Sequence, residues 1–160
     1  MSTDRVSVTR RIAAPAEKLF LIVSSPDGHV QIDGSGMLVA APDAEQPTAV
    51  GDQFDMDMDR EPLGDIPEMG KYQVRNTVTQ IVPNRLFEWT IGGKDWPPLG
   101  HLYGWQLDPV SETETDVTNY CDWSAIGDDM RARTEGRWPI VPVEMLEQSV
   151  ANLERIATSE

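Results

Sequence analysis

The segment VPVEMLEQSVANLERIA, residues 141–157, decides the fold. Within it Val143, Leu146, Ser149, Val150, Leu153, Ile156 and Ala157 recur at helical spacing and form one apolar stripe. Glu144, Gln148, Ala151 and Arg155 fall on the opposite side, so this helix is wet on one face only. Pro139 and Pro142 stand at or before its start, where a missing N–H costs little. A long helix with one apolar stripe needs a broad, concave partner. The chain before it reads mostly as strands, which predicts a curved antiparallel sheet wrapped around the helix with a ligand cavity between them.

Working back from that helix, residues 124–138 read as irregular or weakly helical, and Asp116 to Trp123 as the last strand. His101, Tyr103, Trp105 and Leu107 alternate with smaller or polar residues, as do Phe87, Trp89 and Ile91. Tyr72, Val74, Asn76 and Val78 share one face of a long strand, and Phe54, Met56 and Met58 alternate with Asp55, Asp57 and Asp59. Pro/Gly-rich loops occupy Arg60 to Pro67 and Gly92 to Gly100. Met37 to Ala41 is a short strand. Near the start, Arg5 to Ile12 alternates as a first strand, and Ala14-Pro15 opens a helix burying Leu19, Phe20, Ile22 and Val23. Residues 24–28 break that helix, and His29 to Ile32 adds one further turn. Strands and helices do not alternate, which disfavours a parallel sheet. The expected fold is α+β: two short helices after strand one, an antiparallel sheet of about six to seven strands, and the long closing helix. No repeat or linker composition appears, so residues 1–160 are read as one domain.

Charge narrows the function classes. The chain carries 27 acidic and 13 basic residues, a net charge of −14, which repels phosphate backbones and anionic membranes. Nucleic-acid binding is therefore excluded from the reading. The longest purely aliphatic-aromatic run, Leu19 to Val23, is too short to cross a bilayer, and the opening MSTDRVSVTRR does not have a signal-peptide pattern. A cytoplasmic protein without membrane insertion is expected, as a monomer or homodimer. Cys121 is the only cysteine, which rules out an internal disulfide and a multi-cysteine metal site.

Several segments together resemble the START-like helix-grip superfamily, in particular its polyketide cyclase/dehydrase (SRPBCC) group. They are VTRRIAAPAEKLF near the start, HVQIDGSG at 29–36, VGDQFDMDM at 50–58, YQVRNTV at 72–78, NRLFEW at 84–89, TDVTNYCDWS at 115–124, and the terminal helix. The resemblance implies the helix-grip fold and a deep cavity between sheet and C-terminal helix that takes up an apolar or aromatic small molecule.

Four constellations bear on that cavity. Phe54, Met56, Met58, Tyr72, Trp89, Tyr103 and Trp105 share strand faces whose Trp, Tyr and Met content suits ligand orientation better than an ordinary Leu/Ile/Val core. Met37 and the helix residues Met145, Ser149 and Leu153, with Val143, complete the expected lining. His29 and Asp33, four apart, form either an imidazole oriented by a carboxylate or the brace of a tight turn, with Asp33 bonding the amides of residues 34–36. Asn76 turns an amide towards the oily face beside Tyr72, where it meets either a ligand carbonyl or the protein itself; His101 stands at the cavity mouth or in solvent. Asp52, Asp55, Asp57 and Asp59 lie in a row about 6–7 Å apart, a solvated face and not a metal cage.

The expected function is binding of a polyketide- or lipid-like molecule in the cavity. The alternative is an aromatase/cyclase or dehydratase acting there, with His29, Asp33, Tyr72 or Asn76 handling protons. Enzymatic activity stays open. No cofactor and no metal are called for.

Overall fold

The computed structural model describes residues 4–42, 45–134 and 137–159. Among these, the strands are β1 (Arg5–Ile12), β2 (Leu38–Ala40), β3 (Gln53–Asp59), β4 (Lys71–Val82), β5 (Leu86–Gly92), β6 (Leu102–Pro109) and β7 (Thr115–Asp122). They form one sheet in the order β1-β7-β6-β5-β4-β3-β2, antiparallel throughout. Helices α1 (Ala16–Val23) and α2 (Pro26–Ile32) carry the chain from one sheet edge to the other, and α3 (Asp128–Arg133) precedes α4 (Val143–Thr158). This is the helix-grip arrangement that the segments of the chain imply.

One turn differs from expectation. The helix break is confined to Ser24 and Ser25, because Ser25 caps a new helix by accepting from the Gly28 amide at 3.2 Å, with Pro26 in its first turn. What reads as one added turn is thus a helix of 7 residues.

Alternation fixes which side chains face α4. On β4, Val74, Asn76 and Val78 are buried while Gln73 is exposed. The register between β4 and β5 then shifts between Val78 and Gln80, so that Val78 pairs with Trp89 but Gln80 with Glu88. This irregularity at Thr79 inverts the parity of β4: even positions face inward before it, and Ile81 packs on the core after it. Trp89, paired with Val78 and Tyr103, lies on the concave face. On the convex face the same irregularity gathers the Thr79 hydroxyl, the Gln80 amide and the Tyr120 hydroxyl, which donate to the buried Glu88 carboxylate at 2.8, 2.9 and 2.7 Å. Tyr120 lies flat over Gly104, where any Cβ would come within 2.2 Å of the ring.

The stripe of α4 buries Leu146, Ser149, Val150, Leu153 and Ala157. Its C-terminal half joins Ile12, Leu19, Phe87, Leu107 and Val117 in a close-packed core. The helix is also clamped to the end of α2. Gly34 donates to the Ser149 hydroxyl at 2.8 Å, and a Cβ at residue 34 would lie 2.3 Å from the Met145 carbonyl oxygen. Glycine is the residue that lets these two backbones approach so closely.

Candidate functional site

Beyond the packed end, the sheet and α4 diverge around a cavity of about 330 Å3. That is within the roughly 300–1,000 Å3 range of small-molecule sites. The sheet contributes Met58, Tyr72, Val74, Asn76, Trp89, Ile91, Tyr103, Trp105 and Asn119, with Arg60 and His101 beside the strand ends. His29 and Ile32 of α2, and Leu146 and Ser149 of α4, close the inner side. The mouth is rimmed by Ile66 and Met69, by Trp96 and Leu99, and by Met130, Trp138, Ile140 and Val141.

Of the side chains expected to line the cavity, Met37, Met58, Tyr72, Asn76, Trp89, Tyr103, Trp105 and Ser149 meet on its wall. Phe54, Met56 and Leu153 do not. They are 3%, 0% and 0% exposed and belong to the core, because α1 and α2 fill the hollow of the sheet at that end. Met145 and Val143 are half-buried but off the wall. The close passage of Gly34 over the Met145 carbonyl occupies that flank of α4, so Leu146 and Ser149 are the helix residues turned to the cavity.

His29 and Asp33 both reach the wall but do not form a general-base couple. The Asp33 carboxylate accepts from the Ser35 amide (3.0 Å), the Ser35 hydroxyl (2.7 Å) and the Leu38 amide (3.1 Å), bracing the turn into β2. The amides it holds are those of Ser35 and Leu38, whereas that of Gly34 goes to Ser149. His29 donates from Nε2 to the Val23 carbonyl at 2.6 Å, since that oxygen can only accept. Its ring sits in an aromatic nest with centroids 5.5 Å from Phe54, 5.6 Å from Phe87 and 4.6 Å from Trp89. Burial lowers its pKa to about 4, against the smaller opposing effects of the Val23 bond and of Asp33. At neutral pH it is a neutral, packed imidazole.

The polar groups of the opposite wall are less well partnered. Asn76 Oδ1 and His101 Nδ1 are buried without a hydrogen-bond partner among the described residues. His101 is 5% exposed, not in solvent; its ring packs 4.8 Å from Trp138 and 5.6 Å from Tyr103, and burial lowers its pKa to about 4. Tyr103 stacks on Trp89 at 6.0 Å, and burial pushes its phenol well above the ordinary value. Cys121 beside it is fully buried, its thiol pushed up to about 12 by burial, which makes it an inert filler. Two aspartates of the row pair across strands, Asp55 bound bidentately by Arg75 and Asp57 by Gln73, while Asp52 accepts from the Thr48 and Ala49 amides and Asp59 from that of Glu61. No group of His, Cys, Asp and Glu among the described residues is arranged to hold a metal ion.

At the mouth, Arg60 donates twice to Asp65 at 2.7 Å, and Arg137 donates to the same carboxylate at 2.6 Å. The bond to Arg60, first, and that to Arg137 hold the Asp65 carboxyl well below the usual carboxylate range. Arg60 was legible in the sequence, as the next inward position after Phe54, Met56 and Met58. So was Asn119, which alternates with Val117 and Cys121 and donates to the Gly104 carbonyl at 3.0 Å. Trp138, Ile140 and Val141 follow no periodicity, and only tertiary packing brings them to the rim. Trp138 stacks on Trp123 with centroids 6.1 Å apart.

No family model matches the chain. The uncharacterized protein Rv0088 of Mycobacterium tuberculosis is 36% identical over 123 residues, covering 77% of this chain and 49% of its own length. The chain thus spans about half the length of the curated relatives it matches. Among solved structures, protein CV1439 of Chromobacterium violaceum superposes with a TM-score of 0.65 at 17% identity, covering 99% of this chain and 100% of that one. The Zhui aromatase/cyclase of Streptomyces sp. R1128 gives 0.66 at 13% identity, over 96% and 92%. A truncated norcoclaurine synthase of Thalictrum flavum gives 0.64 at 13%, over 98% and 94%. At these identities the likeness is one of fold. No helix among the described residues is long and apolar enough to cross a membrane.

Proposed function

We propose that this chain, whose fold is that of the START-like helix-grip superfamily, holds an apolar or aromatic small molecule, polyketide- or lipid-like, between its sheet and α4. One observation carries the reading. A cavity of about 330 Å3 is walled by Trp89, Trp105, Tyr103, Tyr72 and Met58, while the other end of the same sheet is packed solid. Large aromatic side chains that leave space between them suit a planar or flexible apolar guest, which recovers their contacts on entry. The aromatase/cyclase among the fold's relatives supports the same class of guest by analogy.

Native mass spectrometry and fluorescence titration with an apolar aromatic probe test this. The wild type is expected to bind, and Leu146→Trp, which fills the cavity from α4, to lose binding, with circular dichroism as the check that its fold persists. A wild type that takes up neither a co-purifying organic molecule nor the probe would refute the reading.

A second reading, ring closure or dehydration of a poly-β-ketone in the same cavity, draws on Tyr72, Tyr103 and His101 sharing one wall. His29, which donates from Nε2 to Val23 and so keeps an unprotonated Nδ1, is a weak acceptor because burial lowers its pKa to about 4. Turnover of a poly-β-ketone thioester that survives His101→Phe and Tyr103→Phe unchanged would sink it.

A further inference from the structure

Buried polar atoms are nearly always paired, so an unpaired one facing a cavity describes what is meant to fill that cavity. Here there are two. Asn76 is 3% exposed and His101 5% exposed; both line the cavity, and Asn76 Oδ1 and His101 Nδ1 have no partner among the described residues. They are not scattered. Asn76 pairs with Ile91 in the β4–β5 register, and Thr90 pairs with Leu102 in β5–β6. Ile91 follows Thr90 and His101 precedes Leu102, so both stand at the same end of the β5–β6 pair, where the Ile91 carbonyl accepts from the Leu99 amide. The three residues therefore form one row at that end, with Asn76 and His101 separated at the backbone by about 10 Å, two interstrand spacings. The Thr90 hydroxyl donates to the His101 carbonyl at 2.9 Å and anchors that end of the row.

We propose, building on the reading of the cavity as a ligand site, that Asn76 and His101 are a two-point polar anchor selecting a neutral aromatic guest that carries a hydroxyl group at each end. Asn76 Oδ1 is an acceptor and calls for a donor. His101 Nδ1 donates or accepts according to its tautomer, and a hydroxyl satisfies either. Ile91 between them is apolar, which fits a ring spanning the row. A charged guest fits poorly. Arg60 is already bound bidentately by Asp65, and both imidazoles at the cavity are held neutral by burial. Removing either hydroxyl would leave the protein atom that faces it unpaired, and it is this loss that produces discrimination.

The test uses 2,6-dihydroxynaphthalene and naphthalene as probes, by calorimetric or fluorescence titration of the wild type, Asn76→Leu and His101→Phe. The wild type is expected to favour 2,6-dihydroxynaphthalene by about tenfold or more, the equivalent of two modest net hydrogen bonds. Each variant should lose about half of that preference on a logarithmic scale, read as the ratio of the two probes' affinities. Asn76→Leu removes a buried orphan without changing volume greatly, so its fold is expected to persist, with circular dichroism as the check. The wild type gives an independent readout: the 15N resonances of the His101 ring should move much further with 2,6-dihydroxynaphthalene than with naphthalene. Equal binding of both probes, variants that lose both alike, or an unmoved His101 ring would overturn the anchor while leaving the cavity reading standing. If neither probe binds the wild type, the cavity reading itself fails, and the anchor with it.

Discussion

Arg137 reaches across the cavity mouth to donate to Asp65 at 2.6 Å, joining the segment before α4 to the loop after β3. Arg60 fixes the other side of the same carboxylate, so one anion closes the rim from two directions. Because Asp65 is partly exposed, the cluster contributes little to global stability; its weight falls on opening. Asp65→Asn is expected to speed release of a bound apolar probe by about three- to tenfold while shifting the melting temperature only slightly. Stopped-flow displacement measures this, and an unchanged release rate would show that the mouth opens elsewhere. The Asp65 carboxyl is held below its ordinary value, so the clasp is intact at neutral pH and lost only in strong acid.

The two buried imidazoles set a different pH limit. His29 and His101 have pKa values lowered from 6.5 to about 4, so the folded state binds fewer protons than the unfolded state between those values. Stability is therefore fully present above about pH 6.5 and falls as pH drops towards about 4. The loss at the lower end is about 3 kcal/mol per histidine. Urea unfolding at several pH values between 4 and 7 measures it. In His101→Phe the slope should be roughly halved, and an unaltered slope would show that carboxylates dominate the window.

Gly34 is a steric requirement of the grip. An added Cβ meets the Met145 carbonyl oxygen at 2.3 Å and the Ser149 nitrogen at 2.6 Å, both backbone atoms that cannot swing aside. Gly34→Ala should cost about 2–3 kcal/mol of stability. Ser149→Ala, which orphans the Gly34 amide, should cost about 1–3 kcal/mol. Chemical denaturation checks both; a neutral Gly34→Ala would mean that α4 rides more loosely on α2 than the contact implies.

Leu153 separates core from wall. It is fully buried at the packed end, so Leu153→Ala should destabilise by about 2–5 kcal/mol yet change probe affinity by less than about twofold. A matched loss of affinity would extend the site towards the C-terminal half of α4.

Much of this was legible in the sequence. The stripe of α4 and the alternation of β3, β4 and β6 have periods that burial imposes directly, and the order of elements follows from them. Two kinds of information were not local. The parity of Trp89 depended on a register shift at Thr79, which no propensity of Val78-Thr79-Gln80 betrays. The division of the concave face into core and cavity depended on how far α1 and α2 reach along it. Phe54 and Met58 lie on one face of one strand, and only the reach of the helices makes one core and the other wall. Aperiodic stretches such as 137–141 give no account of themselves until the sheet they cover is known.

The asymmetry of α4, packed at one end and open at the other, has an evolutionary consequence. Trp138 and Val141 aside, which pack on the buried cluster of Cys121, Trp123, Ile126 and Leu146, the rim residues stand outside the buried clusters. Neither the 3-10 turn at Glu61–Leu63 nor α3 holds a buried residue. Variation there can retune which molecules are admitted without drawing on the stability reserve, so one scaffold can diversify its guests by changing its rim alone.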